Sequence, residues 1–195
     1  MERIILASGS PRRRQLLEWA EVEFSVIVKE TDENYPSGLP VNEIPIFVAR
    51  NKAHEVRKSD TFKRYGDGTT ILAADTMVVL DEMIIGKPIH REEAKRILNL
   101  LSGKEHLVIT GVVVLKGEKE ISFSDITRVT FHELTDDQIE FYVDKYKPYD
   151  KAGAYAIQEW IGVIGIKCIN GDFYNVMGLP VSKVVKTLEK IANQH

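Results

Sequence analysis

A single cysteine, Cys168, in 195 residues excludes an internal disulfide and fits a reducing compartment. Its surroundings, Ile164-Gly165-Ile166-Lys167-Cys168-Ile169, read as a buried strand, so a core thiol is expected there and not a nucleophile. No apolar run approaches the roughly 20 residues of a membrane span, and the apolar stretch before the first arginines is too short for a signal peptide. The chain is therefore expected in the cytoplasm, with no membrane partner. An excess of positive charge is also missing: 26 Lys and Arg stand against 29 Asp and Glu, for a formal net charge of -3. That excludes a nucleic-acid partner bound through bulk electrostatics. Internal repeats and low-complexity tracts are absent. So is the Gly-x-x-x-x-Gly-Lys-Ser/Thr phosphate loop, which Gly86-Lys87-Pro88 does not replace. What is present, 44% hydrophobic and 28% charged, suits one domain at 1–195 with a well-buried core, built as two lobes around a cleft.

The basic signal is local. A short strand, Arg3-Ile4-Ile5-Leu6-Ala7, runs into Ser8-Gly9-Ser10-Pro11-Arg12-Arg13-Arg14 and then an apolar-periodic helix. Ser10 suits the N-cap, and Pro11 the first helical position, where its missing N–H costs nothing. The three arginines then occupy the helix end whose dipole disfavours cations. A phosphate would reverse that sign, because backbone N–H groups, the dipole and guanidinium forks would converge on it. The competing reading has the arginines splay outward into solvent.

Further along, 22–28 alternates as a second strand and leads to Glu30-Thr31-Asp32-Glu33 and a Pro/Gly-rich loop. Asn42 is placed to cap a helix reaching about Arg57, with Ile44, Val48, Lys52 and Val56 on one line. The polar stretch 59–70 reads as a connecting loop. An apolar strand at 71–80 is broken by one carboxylate, Asp75. Asp81-Glu82 marks a turn into a short return strand at 83–85, and a helix at 90–101 is ended by Gly103. Paired strands surround Lys116-Gly117-Glu118, Thr135-Asp136-Asp137-Gln138 is a capping box, and Leu179-Pro180 precedes a C-terminal helix. The pattern is α/β with a mixed central sheet flanked by helices.

Two residues stand in the wrong company. Asp75 lies inside a β-rich apolar run and needs a partner, and Lys52 interrupts the inward line of its helix. Either they form a structural ion pair, or both face one polar cleft. Glu33, Asp32 and Asp75 are hard oxygen donors at strand ends, as Mg²⁺ coordination through one or two carboxylates plus substrate phosphates requires. Arg12, Arg13, Lys52 and Lys87 supply the opposite sign. Together these are the working parts of phosphoryl hydrolysis, and none has to be a covalent nucleophile.

Ala7 through Leu17, Ala49 to Ala53 around Lys52, Ala74-Asp75-Thr76, Gly86-Lys87-Pro88, Leu101-Ser102-Gly103, the segment from Asp150 to Gln158 and Asn175-Val176-Met177-Gly178-Leu179-Pro180 together resemble the Maf family of nucleoside triphosphate pyrophosphatases. Met177 stands where that family often has Val, a tolerated change in a core position. The resemblance implies a fold related to Ham1 and the inosine triphosphate pyrophosphatases, a divalent cation (Mg²⁺ or Mn²⁺), and a homodimer. It further implies Asp75 as proton acceptor, Glu33 and Asp75 as metal ligands, and Ser8, Arg13, Lys52 and Lys87 as contacts to the triphosphate. Arg12, Thr76 and Gln158 would set base choice, in the combination of the branch acting on dTTP and UTP. A glutamine amide carries a donor and an acceptor that match the imide N–H and carbonyl of thymine or uracil. The rival expectation is a nucleotide-binding regulator of septum formation without catalysis.

Overall fold

The computed structural model describes residues 3–193. Among the described residues, seven strands form one mixed sheet: β1 (Ile4–Leu6), β2 (Phe24–Val26), β3 (Ile71–Leu80), β4 (Met83–Ile85), β5 (Glu105–Lys116), β6 (Lys119–Phe131) and β7 (Ile166–Asn170). Their order is β2-β1-β3-β5-β6-β7, with β4 paired to β3. β1 is parallel to β2 and β3, whereas β3–β4 and β6–β7 are antiparallel. The helices are α1 (Pro11–Trp19), α2 (Ile44–Lys58), α3 (Asp60–Lys63), α4 (Arg91–Leu101), α5 (Asp136–Tyr146), α6 (Trp160–Gly165), α7 (Phe173–Met177) and α8 (Val181–Ala192).

The chain forms two compact units. The first holds the described residues up to Asp75, Thr110–Asp125 and those from Gly178 on; the second holds Thr76–Ile109 and Ile126–Met177. In the first, Ile5, Ile71, Ala73, Val113 and Leu115 of the strands share a core with Ile46, Ala49, Ala53 and Val56 of α2. In the second, α4 packs on α5, burying Ile97, Leu98 and Leu101 of the one and Ile139, Tyr142 and Val143 of the other.

Local chemistry sets the element boundaries. The Ser10 hydroxyl accepts from the Arg13 N–H and Pro11 opens α1. Thr135 and Gln138 close the reciprocal capping box of α5. Asp81 and Glu82 take the left-handed backbone of a tight two-residue turn, with φ of 47° and 69°.

Three expectations change. Asn42 does not cap α2: the cap is Glu43, without a side-chain bond, and the Asn42 amide donates to the Glu43 carboxylate at 3.4 Å. The stretch 59–70 is not all loop, because Ser59 caps α3 and Phe62 is buried beneath it. Cys168 is exposed and not in the core. Strand β7 ends the sheet order, so it has one strand neighbour and half-exposed faces, while Ile164 and Gly165 belong to α6.

His106, at the start of β5, is 2% exposed among Phe131 and Tyr155. Its Nε2 lies 2.8 Å from the Tyr155 hydroxyl, and its Nδ1 has no hydrogen-bond partner among the described residues. Burial pushes its pKa down from 6.5 to about 4, so the ring is neutral at pH 7. The unfolded chain takes up a proton as the pH falls through 6.5, whereas the native state resists until about 4. Stability is therefore full above pH 6.5 and lost toward pH 4, by about 3 kcal/mol. Urea unfolding at pH 7 and pH 4 should show that extra loss in the wild type relative to His106→Phe; equal losses would remove the neutral-histidine account.

Candidate active site

The first unit gathers a charge cluster around Lys52. The spacing that puts Ala49, Ala53 and Val56 into the core carries Lys52 to the same side of α2. Its ammonium lies 2.7 Å from Asp75 Oδ1 and 2.8 Å from Glu33 Oε1. The Lys52 and Asp75 side chains are 17% and 21% exposed, and that of Glu33 is 58% exposed. Asp75 and Thr76 are the half-buried break in an otherwise buried β3. A carboxylate in such a strand is sustained by its ion pair, so the two unmatched charges of the sequence have found each other, with Glu33 as the third member. Asp32 serves its own loop instead: its Oδ1 accepts from the Asn34 N–H at 2.9 Å, which lowers its pKa.

Two carboxylates that converge on one ammonium present oxygens to a common point. That donor set suits a hard divalent cation, which takes one or two protein carboxylates and fills its remaining positions from phosphate and water. No group of three or more His, Cys, Asp or Glu side chains placed for a metal occurs among the described residues.

The arginine turn divides into three different situations. Arg13 is buried at 8% exposure; its Nη1 donates to Ser8 Oγ at 3.0 Å and its Nε to the Gly178 carbonyl at 2.8 Å. Ser8, 7% exposed, also accepts from the Ser10 N–H. Burial lowers the Arg13 pKa most, opposed by the charge of Asp75; Arg12 lowers it further and Glu33 opposes. Arg13 stays a cation within electrostatic reach of both carboxylates. Arg12 is half-buried, and Arg14 is exposed with Nη2 donating to the Gly9 carbonyl at 3.4 Å. The outward-splaying reading thus fits Arg14 and fails for Arg13.

The second unit carries Lys87, exposed after β4, and Gln158, exposed at a tight turn. The Gly153 N–H donates to the Gly86 carbonyl at 3.2 Å, which ties the segment leading to Gln158 to the residue before Lys87. The turn itself is closed by the Glu159 N–H donating to the Ala156 carbonyl at 3.1 Å. Tyr142 of α5, fully buried, accepts from the Ala156 N–H at 3.2 Å and donates to Glu159 Oε2. Glu159 Oε1 lies 3.5 Å from the ammonium of Lys151, which is itself 2.8 Å from Asp150. Sequence reasoning missed Tyr142, Lys151 and Glu159. Tyr142 sits three residues after Ile139 and looks like core, and Lys151 and Glu159 give no unusual local pattern.

Comparison with known proteins places the chain. The Maf-like protein family matches residues 3–191. A dTTP/UTP pyrophosphatase of Cytophaga hutchinsonii is 54% identical over 190 residues, 97% of this chain and 84% of the relative. One of Parabacteroides distasonis is 46% identical over 188 residues, 96% of this chain and 95% of the relative. Among solved structures, the Ham1 protein of Staphylococcus aureus is a distant likeness, 12% identical with a TM-score of 0.45 over 67% of this chain and 72% of that one. A match that runs through both units, and that includes every residue of the Lys52 cluster, shows that the chain belongs to the Maf-like protein family.

Proposed function

We propose that this protein is a nucleoside triphosphate pyrophosphatase that hydrolyses dTTP and UTP to the monophosphate and pyrophosphate. The observation that carries the reading is the cluster in which Glu33 and Asp75 share the ammonium of Lys52, with Arg13 in electrostatic reach. The names of relatives at 54% and 46% identity support the same reaction and do not favour a regulator without turnover. The family match from 3 to 191 supports a single domain at 1–195.

Ser8, Arg13, Lys52 and Lys87 hold the triphosphate, three cations and one hydroxyl meeting a densely charged anion. Asp75 orients the attacking water and accepts its proton as the oxygen bonds to the α-phosphorus and pyrophosphate departs. Glu33 and Asp75 hold a divalent cation, Mg²⁺ or Mn²⁺, which when bound neutralises charge on the triphosphate. Arg12, Thr76 and Gln158 select the base. The reading has the enzyme act on free nucleotides in the cytoplasm and as a homodimer. Among the described residues no helix is long and apolar enough to cross a membrane.

Incubation with dTTP and Mg²⁺, with separation of the products, should yield dTMP and pyrophosphate in equal amounts. Release of dTDP with inorganic phosphate, or no turnover of dTTP or UTP, would overturn the reading.

A further inference from the structure

We propose that Tyr142 is a positioning residue for base selection, acting through the turn that presents Gln158; the inference rests on the pyrophosphatase reading. One hydroxyl holds both ends of this turn. Tyr142 accepts from the N–H of Ala156, the first residue of the turn, and donates to the carboxylate of Glu159, the last, while Glu159 N–H closes the turn on the Ala156 carbonyl. Gln158 is the third of the four residues, exposed at the corner. Tyr142 is fully buried and stacked on Tyr146 at 4.9 Å, so its hydroxyl is a fixed point.

Three further contacts immobilise the same segment. The buried ammonium of Lys151 lies on the other oxygen of Glu159. His106 holds the Tyr155 hydroxyl. Gly162, in the first turn of α6, lies so close to the turn that a Cβ there would stand 1.8 Å from the Ile157 carbonyl oxygen. A surface glutamine gains nothing from such a frame unless its position matters. A glutamine amide can rotate to offer donor and acceptor in either order, and uracil and cytosine present opposite orders. Discrimination between them needs the amide to arrive at a fixed place, and a rigid backbone under Gln158 is the first condition for that. The chain from buried Tyr142 through half-buried Glu159 to buried Lys151 supplies it. Its interior polar groups are costly to leave unpaired, which makes the alternative turn conformations unfavourable.

The test is the steady-state hydrolysis of UTP, dTTP and CTP by the wild type, Tyr142→Phe, Glu159→Ala and Glu159→Gln, followed as pyrophosphate release, with a thermal melt of each. Tyr142→Phe and Glu159→Ala each remove two of the contacts that fix the turn and should raise KM for UTP and dTTP and narrow the UTP-over-CTP preference about tenfold. Their kcat should change less than about twofold, since the Lys52 cluster is untouched. Glu159→Gln keeps an acceptor for the Tyr142 hydroxyl and should retain most of the preference. A lowered melting temperature with unchanged preference would overturn the positioning role and leave the pyrophosphatase reading intact; a wild type that releases no pyrophosphate from any of the three would overturn both. Should Tyr142→Phe fail to fold, the Glu159 pair decides by the same criterion.

Discussion

Asp75→Asn should cut pyrophosphate release from dTTP by about a thousandfold, the middle of the range for loss of a general base. The substitution is nearly isosteric and keeps an oxygen that can accept from Lys52, so the half-buried break in β3 stays filled and polar. What it removes is the ability to take a proton, together with one of the two negative charges that hold the Lys52 ammonium. The cations assigned to the triphosphate are all retained. Calorimetric titration with dTTP in the absence of divalent cation, where no turnover competes, should therefore show a dissociation constant within about tenfold of the wild type, since no contact to the triphosphate is lost. A variant that keeps a tenth of the wild-type rate would move the proton acceptor elsewhere. A variant that fails to bind dTTP would make Asp75 a structural counter-ion of Lys52.

Much of this arrangement was legible in the sequence wherever a local rule applied. Ser10-Pro11 opens α1 and Thr135 with Gln138 caps α5 because capping needs only neighbours a few residues apart. Lys52 and Asp75 were legible as charges in apolar registers that had to meet each other or a shared polar cleft, because burial without a partner is too costly to persist, and the structure pairs them. Where the deciding partner is distant in the chain, nothing local announced it. Arg13 is separated by 165 positions from Gly178, whose carbonyl it holds, so its burial beside an exposed Arg14 has no signature in three consecutive arginines. Cys168 misled because an apolar neighbourhood says strand without saying whether that strand lies at the edge of the sheet. Phe62 misled differently: a single apolar residue in a polar stretch has no periodicity, yet one buried ring suffices to anchor α3. The turn under Gln158 was hidden for a third reason, since the hydroxyl that closes it comes from a tyrosine whose spacing is that of ordinary core.

Gly111 is a further position whose meaning the sequence did not reveal, and Gly111→Ala should lower the melting temperature by roughly 10 °C, or about 3 kcal/mol. The glycine lies within β5, where a side chain would ordinarily strengthen the strand. Here a Cβ would stand 2.2 Å from the Ile46 nitrogen, 2.2 Å from the Pro45 carbonyl carbon and 2.6 Å from its oxygen. All three are backbone atoms in the first turn of α2, so no rotamer change can relieve the clash; the helix has to move away from the strand. That displacement strikes the core shared by Ile46, Ala49, Ala53 and Val113. It also shifts the helix that carries Lys52, whose two ion pairs depend on its position. The variant should therefore lose activity even at temperatures where it remains folded, by raising KM for dTTP as the ammonium leaves its seat. Gly68→Ala is the matched control, because a Cβ there meets nothing within 4 Å, and its stability should stay within about 0.5 kcal/mol of the wild type. Thermal unfolding followed by circular dichroism, with dTTP kinetics at 25 °C, compares the two. Equal melting temperatures would mean that α2 does not rest on β5 through this glycine, and normal kinetics in a destabilised variant would mean that Lys52 tolerates movement of the turn that begins its helix.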